Sequence, residues 1–290
     1  MSLQFVLRAP GLWVARCRGY AMNTGAVLVG THAVLIDPAL APDEVGDIAR
    51  FCAERGLRVE SVVITHHHWD HVLGAGRFPE ARVVTHQSYL AETALELAHT
   101  RTAAARYLAS EGFPAGPLFE PGVPDVTVED SLDLPVGASS LHLFHTPGHA
   151  RDHLSVEGPA GAWLWAGDIL SDLEIPFVSD RLSAFEETLA SLAGMKIALL
   201  VPGHGTVTAD PMDIAARIRD DRAYLAELHR RVVLVVAAGG TVQDAAAACA
   251  DMVFRRPEAN ADAHAMNVEQ AFVEFGGAPF SPSLGWSREL

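Results

Sequence analysis

Lysine is almost missing from this chain. Of its 21 basic residues only Lys196 is a lysine, and 36 acidic residues bring the formal charge to −15. A nucleic-acid surface needs a basic footprint, so this balance argues against that partner class. A small anionic substrate stays compatible, because bound metal ions would dominate the local field. Cysteine is scarce as well. Cys17, Cys52 and Cys249 are odd in number and far apart, with no C-x-x-C pair and no disulfide framework. A reducing cytoplasm is the expected compartment. Long apolar runs are absent, and a stretch such as 232–238 is far too short to cross a bilayer. The N-terminus shows no basic segment followed by an apolar one, so no signal peptide is expected. What the chain does have is apolar material, 49% of its 290 residues, enough for one large α/β unit with an appendage.

Short runs rich in valine, isoleucine and leucine fall at 12–14, 26–29, 33–36, 59–64, 82–84, 141–144, 162–165 and 198–201. Each predicts a strand. The first few are close together with turn residues between them, which suggests antiparallel pairing. Helices are expected over 43–55, with acidic residues in the first turn and Gly56 as the stop, and over 88–110. Another should begin at Ser183, where Ser183 and Glu186 have the spacing of a capping box. Residues 112–125 carry prolines and glycines and read as a surface loop. After Pro211 the texture becomes helical, with helices expected at 214–236, 242–251 and 263–275. We therefore expect a layered α/β catalytic domain over 1–210 and a helical C-terminal extension over 211–290.

The run His66-His67-His68-Trp69-Asp70-His71 packs four imidazoles and a carboxylate into one short loop. A solvated loop has no need of that chemistry. Three isolated candidates follow predicted strands: His149 after Thr146-Pro147-Gly148, Asp168 after Gly167, and His204 after Pro202-Gly203. Side chains at strand carboxyl ends can converge above a sheet edge, and the preceding glycines allow sharp turns. On an extended loop residues i and i+2 project to one side, so His66 and His68 can grip one ion. Asp70 and His71 lie beyond a bend and can grip a second. His149 would complete the first set, His204 the second, and Asp168 could bridge both. Imidazole and carboxylate suit zinc, with iron or manganese as alternatives. Alone, His149, Asp168 or His204 would be an ordinary loop residue. Trp69 reads as a packing residue, and His67 as a residue behind the ligands or exposed.

On these residues the chain resembles the metallo-β-lactamase superfamily. The likeness rests on 65–71, the Thr146–His149 turn, Gly167-Asp168, Pro202-Gly203-His204-Gly205, and Asp37 at the end of Val34-Leu35-Ile36. It implies a four-layer αββα sandwich. It implies His66, His68 and His149 on one metal, Asp70, His71 and His204 on the other, and Asp168 as the bridge. Within the superfamily the resemblance is to the broad glyoxalase-II-like and SoxH-like hydrolase branch. Asn267-Val268-Glu269 is similar to the latter group. The best-known zinc β-lactamases carry cysteine where this chain has Asp168, which disfavours β-lactam cleavage.

The expected function is hydrolysis of a small thioester, lactone or ester by hydroxide bound between two divalent ions. Asp70 would orient the nucleophile as well as bind metal. His153 would act behind the metal ligands or donate to substrate, with a purely structural role as its equal. The alternatives are a phosphodiesterase, β-lactamase-like activity, a mononuclear iron dioxygenase, and a metal-binding regulatory protein. The expected partner is a small-molecule substrate, with no nucleic acid and no membrane; a homodimer is compatible. Pocket walls should come from Trp69, residues 112–125, Ile175-Pro176-Phe177 and the helical tail. Asp172 reads as a solvated carboxylate, and Arg151 and Arg181 as ion-pair partners.

Overall fold

The computed structural model describes residues 2–114 and 117–278, with the backbone alone at 95–99. Residues 115–116 of the expected loop and 279–290 of the expected extension lie outside the described residues. Contacts divide the chain into two units.

The first unit comprises Met1–His145, Asp152–Gly167 and Ile197–Val207. It contains β1 (Val6–Ala9), β2 (Leu12–Arg16), β3 (Asn23–Val29), β4 (His32–Ile36), α1 (Pro42–Glu54), β5 (Arg58–Val63), α2 (Trp69–Val72), β6 (Arg82–His86) and α3 (Tyr89–Ser110). It continues with β7 (Val126–Val128), β8 (Ser131–Val136), β9 (Ser139–His145), β10 (Leu154–Glu157), β11 (Leu164–Gly167) and β12 (Leu200–Pro202). β1 to β7 form one sheet in chain order, and β12-β11-β10-β9-β8 form a second. The first four strands pair antiparallel, as expected, and β4 to β7 then run parallel. All eight expected strands are present. Four more, β1, β7, β8 and β10, are short or carry polar residues at alternate positions and gave no apolar run.

Alternation explains the layering. On β4, Val34 and Ile36 join a core with Leu134, Leu141, Leu143, Val156 and Trp165 of the second sheet, whereas Leu35 joins Val45, Ile48 and Phe51 of α1. β5 repeats this, with Val63 in the inter-sheet core and Val62 toward the helix side. Each such buried aliphatic side chain contributes about 1.5–3 kcal/mol relative to exposure. α1 starts at Pro42, whose missing N–H costs nothing at a first turn, and keeps Asp43 and Glu44 there. It buries Val45, Ile48, Phe51 and Cys52 along one stripe.

The second unit comprises Thr146–Arg151, Asp168–Lys196 and Thr208–Leu290. Its helices are α4 (Leu182–Ala193), α5 (Pro211–Ala237), α6 (Val242–Cys249) and α7 (Pro257–Glu274). α5 packs against α4, α6 and α7. The expected capping box at Ser183 does not form. Arg181 is the N-cap and offers no side-chain bond. Instead the Glu274 carboxylate, at the end of α7, accepts the Leu182 N–H at 2.6 Å and the Ser183 N–H at 3.1 Å. A distant carboxylate outcompetes the local one at the positive helix end. No described helix is long and apolar enough to cross a membrane.

Candidate metal centre

The histidine-rich loop leaves the end of β5 and is tied down by Asp37. That residue ends β4 in the left-handed region, at φ 44°, and is fully buried. Its carboxylate accepts the Thr65 N–H and the Thr65 hydroxyl, each at 2.8 Å. It also lies 3.1 Å from His71 Nδ1. The Thr65 carbonyl accepts the Leu154 N–H at 2.8 Å, which joins the loop to β10. His66 Nδ1 lies 3.0 Å from the Thr65 hydroxyl oxygen, and its Nε2 lies 3.0 Å from His68 Nδ1. His67 turns the other way. It is buried, not exposed, with Nδ1 2.7 Å from a carboxylate oxygen of buried Asp152.

His204 sits where the two sheets meet. Asn23, at the start of β3, donates through its side chain to the carbonyls of Pro202 at 2.8 Å and Gly205 at 3.0 Å. Its backbone N–H bonds the Gly203 carbonyl at 2.6 Å. The Tyr20 carbonyl accepts from His204 Nδ1 at 3.0 Å. A carbonyl can only accept, so Nδ1 carries a proton, and in the neutral ring Nε2 is the nitrogen left to bind a metal. That Nε2 faces Asp70 Oδ2 at 3.2 Å, and His71 Nε2 faces the same oxygen at 3.7 Å. With neutral rings, two lone pairs would face a carboxylate in a buried place, an arrangement that a cation or a proton among them relieves. Ligand atoms of Asp70, His71 and His204 all lie within 4.8 Å of one another. Imidazoles with Nδ1 anchored and Nε2 converging on a carboxylate are the donor set a divalent transition metal takes. The residues fit such an ion.

Strain is concentrated beside His204. Tyr20 and Ala21 are consecutive non-glycine residues at φ 48° and 50°. Conformations of this kind cost about 1–3 kcal/mol each and persist only where the surroundings enforce them.

In the second unit His149 and Asp168 lie together, with His149 Nε2 3.6 Å from Asp168 Oδ2. His149 repeats the pattern of His204, since the Phe177 carbonyl accepts from its Nδ1 at 3.0 Å. Gly148, at φ 121°, lets the turn press against α4; a Cβ there would meet the Phe185 backbone at 2.3 Å. Of the three glycines expected to provide sharp turns, Gly148 and Gly167 have positive φ and Gly203 does not; at His204 the positive-φ residue is Gly205, after the histidine. The 173–183 segment is held by α7. Asn260 bonds the Leu173 carbonyl and the Ile175 N–H, and Asn267 bonds the Pro176 carbonyl and the Val178 N–H. Gln270 reaches the Asp180 carbonyl at 2.5 Å. These residues recur on one face of the helix.

His153 is buried, with its ring centroid 5.2 Å from that of His66 and its Nε2 where a Cβ of Gly167 would be. Asp172 is partly exposed and lies 3.8 Å from Arg217. Arg151 and Arg181 both approach Asp180, at 3.5 and 4.0 Å. Sequence reasoning missed Asn23, Asp152, Asn260 and Glu274. They are common polar residues in ordinary settings, and only their burial or their distant partners single them out.

A family model described as the metallo-beta-lactamase superfamily matches residues 20–204. A hydroxyacylglutathione hydrolase of Legionella pneumophila (strain Paris) is 26% identical over 135 residues, which cover 44% of this chain and 41% of that protein. An atrochrysone carboxyl ACP thioesterase of Aspergillus chevalieri is 26% identical over 204 residues, covering 69% of this chain and 56% of the relative. The chain spans about half the length of these curated relatives. Among solved structures, a metallo-beta-lactamase family protein from Thermus thermophilus superposes with a TM-score of 0.65 at 23% identity, covering 96% of this chain and 95% of the other. That likeness shows the fold, which is the one expected from the sequence.

Proposed function

Since the chain belongs to the metallo-beta-lactamase superfamily, we propose that it is a binuclear metal-dependent hydrolase of a small thioester, lactone or ester. The observation that carries this reading is the turning of His71 and His204 Nε2 toward one Asp70 oxygen. Asp70, His71 and His204 hold one ion in this proposal. By the family resemblance His66, His68 and His149 would hold the other, with Asp168 shared between the two sets. Zinc suits the donors best, and iron or manganese are the alternatives. When bound, such ions supply Lewis acidity and bring the pKa of a coordinated water toward about 7.

The residues themselves do the rest. Asp70 offers a carboxylate where a water proton must be held and aimed. Asp37, Thr65, Asn23 and the Tyr20 carbonyl fix the rings so that little reorganises when substrate arrives. His153, wedged between His66 and Gly167, backs the ligand loop. One relative is named a thioesterase and another an acylglutathione hydrolase, which supports testing thioesters first.

The test is a panel of thioesters, lactones, β-lactams and phosphodiesters offered to zinc-loaded protein. Turnover of an acyl substrate, lost with a chelator and regained with zinc, is the expected result. Turnover of phosphodiesters alone, or of nothing while metal is bound, would overturn the reading.

A further inference from the structure

The strained Tyr20-Ala21 pair does more than offer a carbonyl to His204. It projects the Tyr20 ring outward, 47% exposed, beside the proposed metal ligands. That ring stacks on Tyr107 with centroids 4.4 Å apart and an interplanar angle of 19°. Trp69, the neighbour of Asp70, meets Tyr20 edge-on at 5.8 Å and Tyr107 at 5.4 Å. The Tyr20 ring stands perpendicular to His204 with centroids 6.3 Å apart. The Tyr107 hydroxyl accepts the Tyr20 N–H at 3.1 Å, so wall and strained turn are fastened together. A small recess of about 10 Å³, the size of one water, is bordered by Tyr20, Asp70, Leu108 and Phe113.

We propose that Tyr20, Trp69 and Tyr107 form a recognition wall for the acyl group of the substrate, and that the group it takes carries a flat aromatic ring. The inference rests on the hydrolase reading and adds the substrate class. Apolar packing alone would hold an aliphatic group equally well. Ring faces and edges arranged at these angles reward another ring through offset stacking and edge-to-face contact. Tyr20 is half-exposed in a strained turn, and its ring borders the same recess as Asp70.

The experiment compares 3-phenylpropanoyl and 3-cyclohexylpropanoyl thioesters, whose carbonyls are electronically alike because the ring is remote. Zinc-loaded wild-type protein should show a kcat/KM about fivefold or more in favour of the phenyl substrate, the scale of one aromatic pair. The preference should survive in Tyr20→Phe and fall toward unity in Tyr20→Leu, through KM more than kcat. Binding of the two free acids to metal-free protein, followed by tryptophan fluorescence, gives a readout without turnover. A phenyl preference in binding with no hydrolysis of any acyl substrate would keep the wall and remove the hydrolase. Equal handling of both rings in wild-type protein, or a preference unchanged in Tyr20→Leu, would overturn the wall and leave the hydrolase standing.

Discussion

Thr65 gives both of its hydrogen-bond donors to Asp37, each at 2.8 Å, in a place without water access. One residue thereby fixes the backbone at the point where β5 becomes the histidine-rich loop. The carboxylate is held from two sides, and His71 is within ion-pair distance of it. Strand, loop and the His71 ring are coupled through a single buried carboxylate.

Thr65→Val keeps the shape and the backbone bond but leaves one carboxylate oxygen short of its donor. Hydrogen bonds to charged groups contribute about 1.5–3 kcal/mol. Urea unfolding should show a loss of that order, together with weaker metal retention during dialysis. A stability unchanged within about 0.5 kcal/mol, as for an ordinary surface substitution, would contradict the coupling.

Asn267→Leu should strand the Val178 N–H and the Pro176 carbonyl, both buried against α7. Each stranded group costs about 1–3 kcal/mol. Faster amide exchange over residues 175–181 should accompany the loss, because the segment that carries the Phe177 carbonyl to His149 is released. Exchange equal to wild type would show that α7 does not hold that segment.

Asp221 gives a pH dependence with a definite sign. Burial pushes its carboxyl up to about 7, although Arg255 at 3.1 Å pulls the other way. In the unfolded chain it titrates near about 3.9. Between those values the folded state holds the extra proton, so stability falls as pH rises from about 4 to about 7 and levels off above. Asp221→Asn has no proton to lose. Its stability relative to wild type should rise across that window, measured by urea unfolding at about pH 4.5 and about pH 7.5. Parallel profiles would contradict the raised value.

Eight strands were legible because short runs rich in valine, isoleucine and leucine mark them. β8 was not, because its sequence alternates Ser131, Asp133 and Pro135 with buried residues. His66, His68, Asp70 and His71 stood out as candidates for a different reason, since a histidine-rich run has little structural use, and His149, Asp168 and His204 stood out only beside that run. Of what holds them in place, Asp37 was marked and the rest was hidden. Asn23 and Asn260 act at separations of 179 and 87 residues, and nothing local marks an asparagine that caps a distant turn. The capping box at Ser183 failed on the same ground, since Glu274 arrives from the end of α7. Of the aromatic trio only Trp69 stood out, because Tyr20 and Tyr107 share no periodicity with it.

In the proposed centre two donor sets, sharing Asp168, each hold an ion. Elemental analysis of purified wild-type protein and of Asp70→Ala, each reconstituted with zinc and freed of loose metal, tests it most directly. The account predicts two ions per chain in the wild type and one in the variant, with the circular dichroism of the fold retained. Two ions in both proteins, or none in a folded wild type, would contradict it.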